Sequence, residues 1–483
     1  MENTKKIWIY GIIITAISTL ADIAFLWVII GTGLITTLIS GITIGLLIAL
    51  LVVIFLLTKN SIHKVRCVIG TIMAVFMFAI QIISGYYIVS GADALNHIST
   101  PKIEYTEIGV YVHKDDTAKS LADIKDYTIG ILSTQDRDNT ALAFIEIEKS
   151  FASEPKTKEF DGLEMLMDSI LTKKVGAVLI NVGFLDLLAE IEGHENDLES
   201  LRELCVIHIE KESARLENAP VSHSEKSVFT LYISGIDTFG KVSKRSRSDV
   251  NIIATVNVKT GQILLVSTPR DYYVPLPISN GVPDKLTHAG IYGIDVSMGT
   301  LEMLYGTRID YYFRVNFDGF EKIIDALGGV TVNSKYDFHV LDTHFNKGEN
   351  FLNGTNALRF VRARKPVPGG DNTRGLHQME VIKGVINKMV TPSILIGYSE
   401  VLEGIKDSFE TSLPYEDIAD IVKNQLNKGT KWNVTSYAVT GTGASHKPYS
   451  LSLNAYVMIP NEETVKKASE LMEMVKAGEI PVV

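Results

Sequence analysis

Three long apolar segments open the chain, at residues 7–30, 34–57 and 67–89. Each has about 23 residues, and a helix of that length spans the ~30 Å hydrocarbon core of a bilayer with some tilt. A cleaved signal peptide would have a single, shorter apolar stretch followed by a small-residue cleavage site. The pattern therefore predicts three transmembrane helices within residues 1–97.

After residue 98 the apolar stretches become short and alternate in character. Apolar runs at 127–132 and 175–180 predict buried strands, and the segment 162–174 predicts a helix. Strands that alternate with helices are typical of an α/β fold, so residues 98–217 are predicted to form a small accessory α/β domain. Residues 218–227, NAPVSHSEKS, have the polar, proline-containing composition of a linker.

Residues 228–483 are predicted to form a second, larger α/β domain. It begins with strands at 227–237, 249–258 and 262–271, and the turn at 259–261 makes the last two an antiparallel pair. Further strands are predicted at 309–317, 330–334, 432–440 and 451–459. Helices are predicted at 286–293, 297–306, 320–329, 352–362, 374–390, 399–409, 415–427 and 461–476.

Composition and charge narrow the function classes. The 483 residues are 46% hydrophobic and carry a net charge of −10, which argues against nucleic acid as a partner. Two cysteines, Cys67 and Cys205, lie in apolar segments and predict no disulfide. Lysines precede the first apolar segment, and Lys59, Lys64 and Arg66 lie between the second and third. The positive-inside rule then predicts a multi-pass membrane protein whose chain after about Ser90 is extracytoplasmic.

The segment 359–378, RFVRARKPVPGGDNTRGLHQ, is the most distinctive stretch for chemistry. It contains five cations within a predicted helix, loop and helix: Arg359, Arg362, Arg364, Lys365 and Arg374. Thr373 is predicted to cap the second helix, which places Arg374 and Gln378 on one face. Guanidinium groups suit phosphate oxygens, but a solvated loop with spaced charges would show the same composition.

Other polar residues lie at predicted strand ends, where sites tend to be built: Asp237, Arg247, Asp249, Arg270 and Asp271. Lys244 and Arg245 either attract an anionic substrate or form a solvated loop. Asp22, inside the first apolar segment, either has a functional role or pairs with a neighbouring helix. His288 is predicted to be structural.

Five blocks of the second half carry a resemblance to a known family: RSDVNIIATVN, QILLVSTPRDYYV, KLTHAGIYG, LNGTNALRFVRAR and PGGDNTRGLHQ. They resemble the signature blocks of the LytR-CpsA-Psr family, and the three apolar segments and accessory domain resemble its capsule-locus members. The resemblance implies an α-β-α sandwich with a central mixed sheet. It also implies a Gram-positive bacterium and other capsule-assembly proteins as partners.

The resemblance further implies the substrates. Such proteins are held to bind polyprenyl pyrophosphate lipids and to transfer the attached polysaccharide to peptidoglycan with Mg²⁺ present. Asp237 and Asp249 match the metal position of the family, and a metal of this kind uses one or two carboxylates plus substrate phosphates. The remaining assignments are a pyrophosphate clamp of Arg247, Arg270, Arg362, Arg364, Arg374 and Gln378, and catalytic roles for Asp249, Arg247, Arg270 and Asp271.

Several alternatives remain open at the level of the sequence. Asp271 either orients Arg270 or acts as a base, and surface ion pairing would equally explain any single arginine. An apolar slot for the lipid is expected from residues such as Leu301, Leu304 and Ile324, which plain core packing would also explain. The main prediction is a capsule glycopolymer transferase, with a non-catalytic lipid-binding regulator and a lipid pyrophosphate hydrolase as rivals.

Overall fold

The computed structural model describes residues 2–59, 64–99, 103–188, 191, 193–194, 196–211, 227–238, 242–390 and 409–483. The predicted linker at 218–227, apart from Ser227, lies outside these residues, as does the predicted helix at 399–409, apart from Phe409. Phe409 itself belongs to a short strand rather than a helix. The described residues divide into two compact units.

The first unit contains three long apolar helices, α1 (Glu2–Thr32), α2 (Thr37–Thr58) and α3 (Lys64–Ser99). Their segments Trp8–Thr32, Thr37–Thr58 and Val65–His97 are each long and apolar enough to cross a membrane. Asp22 of α1 is buried and accepts a hydrogen bond of 2.5 Å from the Gln81 side chain on α3. The carboxylate thus pairs with a neighbouring helix, one of the two alternatives that the sequence left open.

The first unit also includes residues 413–431 from the far end of the sequence. The helix in this segment spans Tyr415–Lys428, close to its predicted bounds. Its Tyr415 hydroxyl donates a 2.5 Å hydrogen bond to the carbonyl of Thr32, at the end of α1. Residues 413–431, which lie within the predicted domain 228–483, thus group with the apolar helices in this unit.

The second unit begins with a five-stranded sheet in the order β3-β2-β4-β1-β5. Its strands are β1 (Glu104–His113), β2 (Thr128–Leu132), β3 (Lys156–Phe160), β4 (Ala177–Asn181) and β5 (Leu201–Lys211). The helices are α4 (Arg137–Phe151), α5 (Leu163–Leu171) and α6 (Val182–Leu188). β1 runs antiparallel to β4 and β5, whereas β2 runs parallel to β3 and β4. The apolar runs predicted as strands are β2 and β4, buried between helices.

A six-stranded mixed sheet follows, in the order β16-β11-β6-β7-β8-β17. Its centre is the antiparallel set β6 (Val228–Ile236), β7 (Ser248–Asn257) and β8 (Gln262–Ser267). Gly261 adopts a φ of +68° in the turn that joins β7 to β8. β11 (Tyr311–Val315) and β17 (Asn433–Ala438) run parallel to the outer strands of this set, and β16 (Phe409–Thr411) forms one edge.

Between and after these strands lie smaller elements. The short strands are β9 (Tyr273–Pro275), β10 (Pro283–Lys285), β12 (Val330–Ser334), β13 (Phe338–Val340), β14 (Thr343–Phe345), β15 (Gly348–Leu352), β18 (Gly441–His446) and β19 (Ala455–Pro460). The helices are α7 (Ile294–Tyr305), α8 (Phe317–Ala326), α9 (Gly354–Arg362), α10 (Asp371–Met389), α11 (Tyr415–Lys428) and α12 (Glu462–Ala477). The predicted helix at 286–293 is a 3-10 helix, Leu286–Tyr292.

Successive side chains of the central strands point to opposite faces of the sheet, which gives the two faces different roles. Tyr232, Ile253 and Leu264 pack with α7 and α12 in one closed core. Ile233 and Val250 point the other way, toward α8, α9 and α10. The result is a three-layer α-β-α arrangement, and the predicted fold class is confirmed.

The closed core is tested by shortening a side chain that fills it. Leu301 on α7 is fully buried, so Leu301→Ala leaves a cavity and is expected to cost ~2–5 kcal/mol of stability. Met303 lies on the same helix with 57% of its surface exposed, and Met303→Ala should change stability by under ~0.5 kcal/mol. Thermal unfolding of the full chain in detergent measures both. Equal unfolding temperatures for the two variants would contradict the packing described.

Candidate functional site

Three strand ends of the six-stranded sheet lie side by side at one edge, because β6, β7 and β8 are antiparallel neighbours. β6 ends immediately before Asp237, β7 begins at Ser248 just before Asp249, and β8 ends shortly before Arg270. The backbone N–H of Asp237 donates to the carbonyl of Arg247 at 3.4 Å, which ties the end of β6 to the start of β7. Residues spread over 34 positions of sequence, from Asp237 to Arg270, are thereby brought together.

Asp249 and Arg270 form the ion pair at the centre of this edge. The Arg270 Nη1 donates to Asp249 Oδ2 at 2.8 Å, and both side chains are more than four-fifths buried. Burial alone would raise the pKa of Asp249, but the guanidiniums of Arg270, Arg374 and Arg247 outweigh it and lower the pKa below its ordinary value. The carboxylate is therefore ionised at neutral pH.

Asp271 and Arg247 support this pair from outside the cavity described below. Asp271 is 5% exposed and places Oδ2 3.7 Å from Arg270 Nε, so it lies where it can orient the guanidinium. Arg247 places Nη2 3.5 Å from Asp237 Oδ2 and 3.8 Å from Asp186 Oδ2 of α6. Neither Asp271 nor Arg247 contributes to the cavity lining, although the sequence predicted both as catalytic.

The segment 359–378 supplies the second set of cations. The chain turns between α9 and α10 at Gly369 and Gly370, whose φ angles of +85° and +54° suit glycine. α10 begins at Asp371, and the Thr373 hydroxyl bonds the Pro368 carbonyl. The expectation that Thr373 caps the helix was therefore wrong, because the helix starts before it.

Asp371 is a site residue that the sequence analysis missed. Its Oδ1 lies 2.6 Å from Arg374 Nη2 and 3.6 Å from Arg364 Nε, so one carboxylate holds two of the guanidiniums. Arg362 lies over the ring of Phe317 at 4.4 Å, a cation–π contact. The signal for Asp371 was present in the motif PGGDNTRG, where only the cations had been counted.

These residues surround one end of a cavity of about 370 Å³ between the sheet and α8–α10. The polar end is lined by Asp237, Asp249, Arg270, Arg362, Arg364, Arg374 and Gln378. The remaining wall is apolar and includes Ile233, Phe313, Phe320, Leu358 and Val385. A cavity with one ionic end and one apolar wall is complementary to an anionic amphiphile.

The apolar slot matches the sequence expectation only in part. Ile324 of α8 lines the cavity. Leu301 and Leu304 of α7 pack instead in the closed core on the opposite face of the sheet. The sequence could not separate them, because both faces of a sheet buried between helices are apolar.

The carboxylate oxygens at the polar end of the cavity are ligands that suit a divalent cation. Asp237 and Asp249 both line it, whereas the described residues hold no cluster of three or more His, Cys, Asp or Glu that could form a complete protein cage. Mg²⁺ typically binds one or two carboxylates and takes its other ligands from phosphates and water. Two carboxylates beside guanidiniums suited to phosphate agree with that donor set.

Comparison with known proteins shows which family the sequence is related to. The LytR_cpsA_psr family model matches residues 205–473. The chain is 37% identical over 219 residues, 45% of its length and 70% of the relative's, to the polyisoprenyl-teichoic acid–peptidoglycan teichoic acid transferase TagU of Bacillus mycoides. It is 33% identical over 238 residues to the Bacillus subtilis protein of the same name, covering 49% of the chain and 76% of the relative.

Among solved structures, Bacillus subtilis TagV aligns with 26% identity and a TM-score of 0.45, over 53% of the chain and all of that structure. The fold and site define an α-β-α domain with a cavity that is charged at one end and apolar beyond it, and the sequence relationship is more specific. The chain belongs to the LytR-CpsA-Psr family. The relatives carry transferase names, and the prediction that the chain is an enzyme of the transferase class is confirmed.

His377 of α10 has a buried imidazole, which predicts that the folded state loses stability in acid. It stacks on Phe360 and Phe338, with centroids 4.1 and 5.2 Å apart, and burial lowers its pKa to about 4 from the ordinary 6.5. The unfolded chain therefore binds the proton more readily. The contribution of neutral His377 to the free energy of unfolding should be fully present above pH 6.5 and be lost as the pH falls toward 4. The total loss is on the order of 3 kcal/mol.

Unfolding of the full chain between pH 4.5 and 7.5 measures this effect. Stability should fall less steeply with acid in His377→Phe than in the wild type, because the titrating group is gone. His344→Phe, on the exposed hairpin β13–β14, controls for loss of an imidazole elsewhere. Parallel pH profiles for wild type and His377→Phe would show that His377 does not contribute.

Proposed function

We propose that this chain is a membrane-anchored phosphotransferase that moves capsular polysaccharide, or a related glycopolymer, from a polyprenyl pyrophosphate carrier to peptidoglycan with Mg²⁺. The observation that carries the proposal is the cavity with guanidiniums and carboxylates at one end and an apolar wall beyond them. A pyrophosphate linked to an isoprenoid chain has the same division between charge and hydrocarbon.

Each part of the cavity has a role in binding. Arg270, Arg362, Arg364 and Arg374, with the Gln378 amide, donate to phosphate oxygens. The apolar wall removes hydrocarbon of the carrier from water. This burial contributes ~25 cal/mol of favourable free energy per Å² of apolar surface. Arg247, 3.5 Å from Asp237, is close enough to add its charge to that of the polar end.

The transfer breaks the phosphoanhydride bond of the pyrophosphate and forms a new phosphate ester. A hydroxyl oxygen of the peptidoglycan acceptor attacks the sugar-linked phosphorus and forms a new P–O bond. The P–O bond to the bridging oxygen breaks, polyprenyl phosphate leaves with that electron pair, and the hydroxyl proton is lost. Positioned cations can stabilise the charge that develops on the phosphoryl oxygens, so the protein needs no covalent intermediate.

Mg²⁺ held by Asp237 and Asp249 would neutralise charge on the pyrophosphate oxygens. The ionised state of Asp249 supports this assignment, because a metal ligand must be deprotonated. Asp271 lies behind Arg270, where it orients the guanidinium rather than reaching into the cavity. The relatives named as transferases of polyisoprenyl-linked teichoic acid support the reaction type, while the capsular polymer rests on the sequence resemblance alone.

The decisive assay supplies the full chain with lipid-linked polymer, Mg²⁺ and a peptidoglycan acceptor. Arg270→Ala and Asp249→Ala should each lower turnover by ~10²–10³, since each removes a group that stabilises developing charge. Binding of the lipid should weaken less, because the remaining guanidiniums still neutralise the head group. Arg359→Ala is the matched control, since Arg359 lies on α9 with Arg362 but pairs with Asp342 at 2.8 Å.

The products distinguish the rival functions. Acceptor-dependent appearance of polymer on peptidoglycan supports the transferase. Free polymer whose yield is independent of the acceptor would identify a hydrolase. Lipid binding without any turnover at any Mg²⁺ concentration would identify a regulator and overturn the proposal.

The proposed topology has its own test. The cations flanking the connection between α2 and α3 favour the cytoplasm, so the chain after about Ser90 is expected outside. Protease added to intact protoplasts should digest the domain that contains the cavity and leave a cytoplasmic marker protein intact. Full protection of that domain would show that the orientation is reversed.

A further inference from the structure

A buried network of four charges joins the five-stranded accessory sheet to the catalytic edge of the six-stranded sheet, which is the set of strand ends next to Asp237, Asp249 and Arg270. Glu104, the first residue of β1, accepts from Arg245 Nε at 3.1 Å through Oε2 and pairs through Oε1 with Arg314 of β11. Arg314 also pairs with Glu410 of β16. All four side chains are at most 7% exposed, and two carboxylates balance two guanidiniums.

Both guanidiniums of the network lie next to the site in sequence. Arg245 and Arg247 lie in the connection between β6 and β7, and Asp249 follows as the second residue of β7. Arg314 precedes Val315 and Asn316, both of which line the cavity. Fixing these two guanidiniums therefore fixes the backbone that presents the catalytic edge.

The backbone makes a second connection at the same place. Tyr105 N donates to the Ser243 carbonyl at 3.1 Å, and Arg245 N donates to the Tyr105 carbonyl at 3.0 Å. The start of β1 thus adds a bridge to the segment that contains Lys244 and Arg245. Arg245 is therefore buried and paired rather than part of a solvated loop, and Lys244 pairs with Glu107 at 2.6 Å.

The space around this connection is closed. A Cβ at Gly290 would collide with the Ser246 carbonyl, and one at Gly293 would lie 2.9 Å from Glu104 Oε2. Burial alone would raise the pKa of Glu104, but the guanidiniums of Arg314 and Arg245 outweigh it and lower the pKa. The carboxylate is thus charged, and it lies outside the family match at residues 205–473.

We infer that Glu104 is a positioning residue for catalysis: through Arg245 it fixes the segment that carries Arg247 and Asp249, so the accessory sheet is part of the catalytic apparatus. The inference rests on the proposed transferase function. A displacement of about 1 Å in a catalytic group can cost ~10²-fold in rate. Substrate binding depends mainly on the cations that line the cavity, which this network does not hold. They are Arg270 after β8, Arg362 and Arg364 at and after the end of α9, and Arg374 of α10.

The test removes the ion pair between Glu104 and Arg245 without leaving a buried charge unpaired. Glu104→Gln alone leaves the buried guanidinium of Arg245 without its carboxylate and Arg314 with Glu410 alone, which threatens folding. The double variant Glu104→Gln/Arg245→Met instead keeps the Arg314–Glu410 pair balanced. The matched control is Glu107→Gln/Lys244→Met, which removes the adjacent ion pair on the same strand and segment, 2.6 Å apart and more exposed.

Full chains are compared for turnover, for lipid-linked substrate binding and for hydrogen exchange in peptides that cover residues 242–250. The Glu104/Arg245 variant should turn over ~100-fold more slowly per folded molecule, with substrate affinity within a few-fold of wild type and faster exchange. The control pair should match wild type in turnover. The conservative single variant Arg245→Lys keeps Glu104. It should retain part of the rate that the double variant loses, because a cation still meets the carboxylate.

The outcomes separate this inference from the proposed function. Wild-type turnover and exchange in the Glu104/Arg245 variant would overturn the inference while leaving the transferase proposal intact. Equal losses of turnover, substrate binding and folded fraction would also overturn it, because that pattern indicates a general structural role. If the wild type itself transfers no polymer, the proposed function fails together with the catalytic role of Glu104. Hydrogen exchange over residues 242–250 that is the same in the Glu104/Arg245 variant and the wild type would then also exclude a positioning role.

Discussion

The ion pair between Asp249 and Arg270 is the interaction on which the site depends. A guanidinium can be buried beside an apolar wall only when a charged carboxylate compensates it, since burial of an unpaired charge is very costly. Asp249 meets this need from the start of β7, and Asp371 does the same for Arg374 from the start of α10. The arginines are thus held in place before any anion arrives, which lowers the ordering cost of binding.

One sheet carries both the stability and the site. The face toward α7 and α12 is filled, with Tyr232 and Leu471 fully buried, and leaves no room for a ligand among the residues of that core. The opposite face leaves about 370 Å³ open between the strands and α8–α10. Alternation along a strand makes this division possible, because adjacent residues such as Tyr232 and Ile233 serve different layers.

Much of this could be predicted from sequence, and the failures have physical causes. The apolar helices, the β7–β8 hairpin and the arginine motif carry strong local signals, since each depends on periodicity or turn chemistry. Placing Leu301 in the slot failed because periodicity marks burial but not which face is filled. Glu104 and Asp371 were missed because their importance comes from partners distant in sequence: Glu104 meets Arg314 across 210 positions. The assignment of Arg247 and Asp271 to catalysis remains a prediction.

Aspartates alternate with arginines around the polar end. Five guanidiniums, those of Arg247, Arg270, Arg362, Arg364 and Arg374, lie near the carboxylates of Asp237, Asp249, Asp271 and Asp371. Fields from such closely spaced opposite charges largely cancel beyond the Debye length of ~8 Å in physiological salt. Selection of a ligand must then take place at contact distance, by the fit of oxygen atoms to fixed donors. A free anion passing in solution would feel little pull, and an amphiphile would be distinguished by the hydrocarbon that follows its charge.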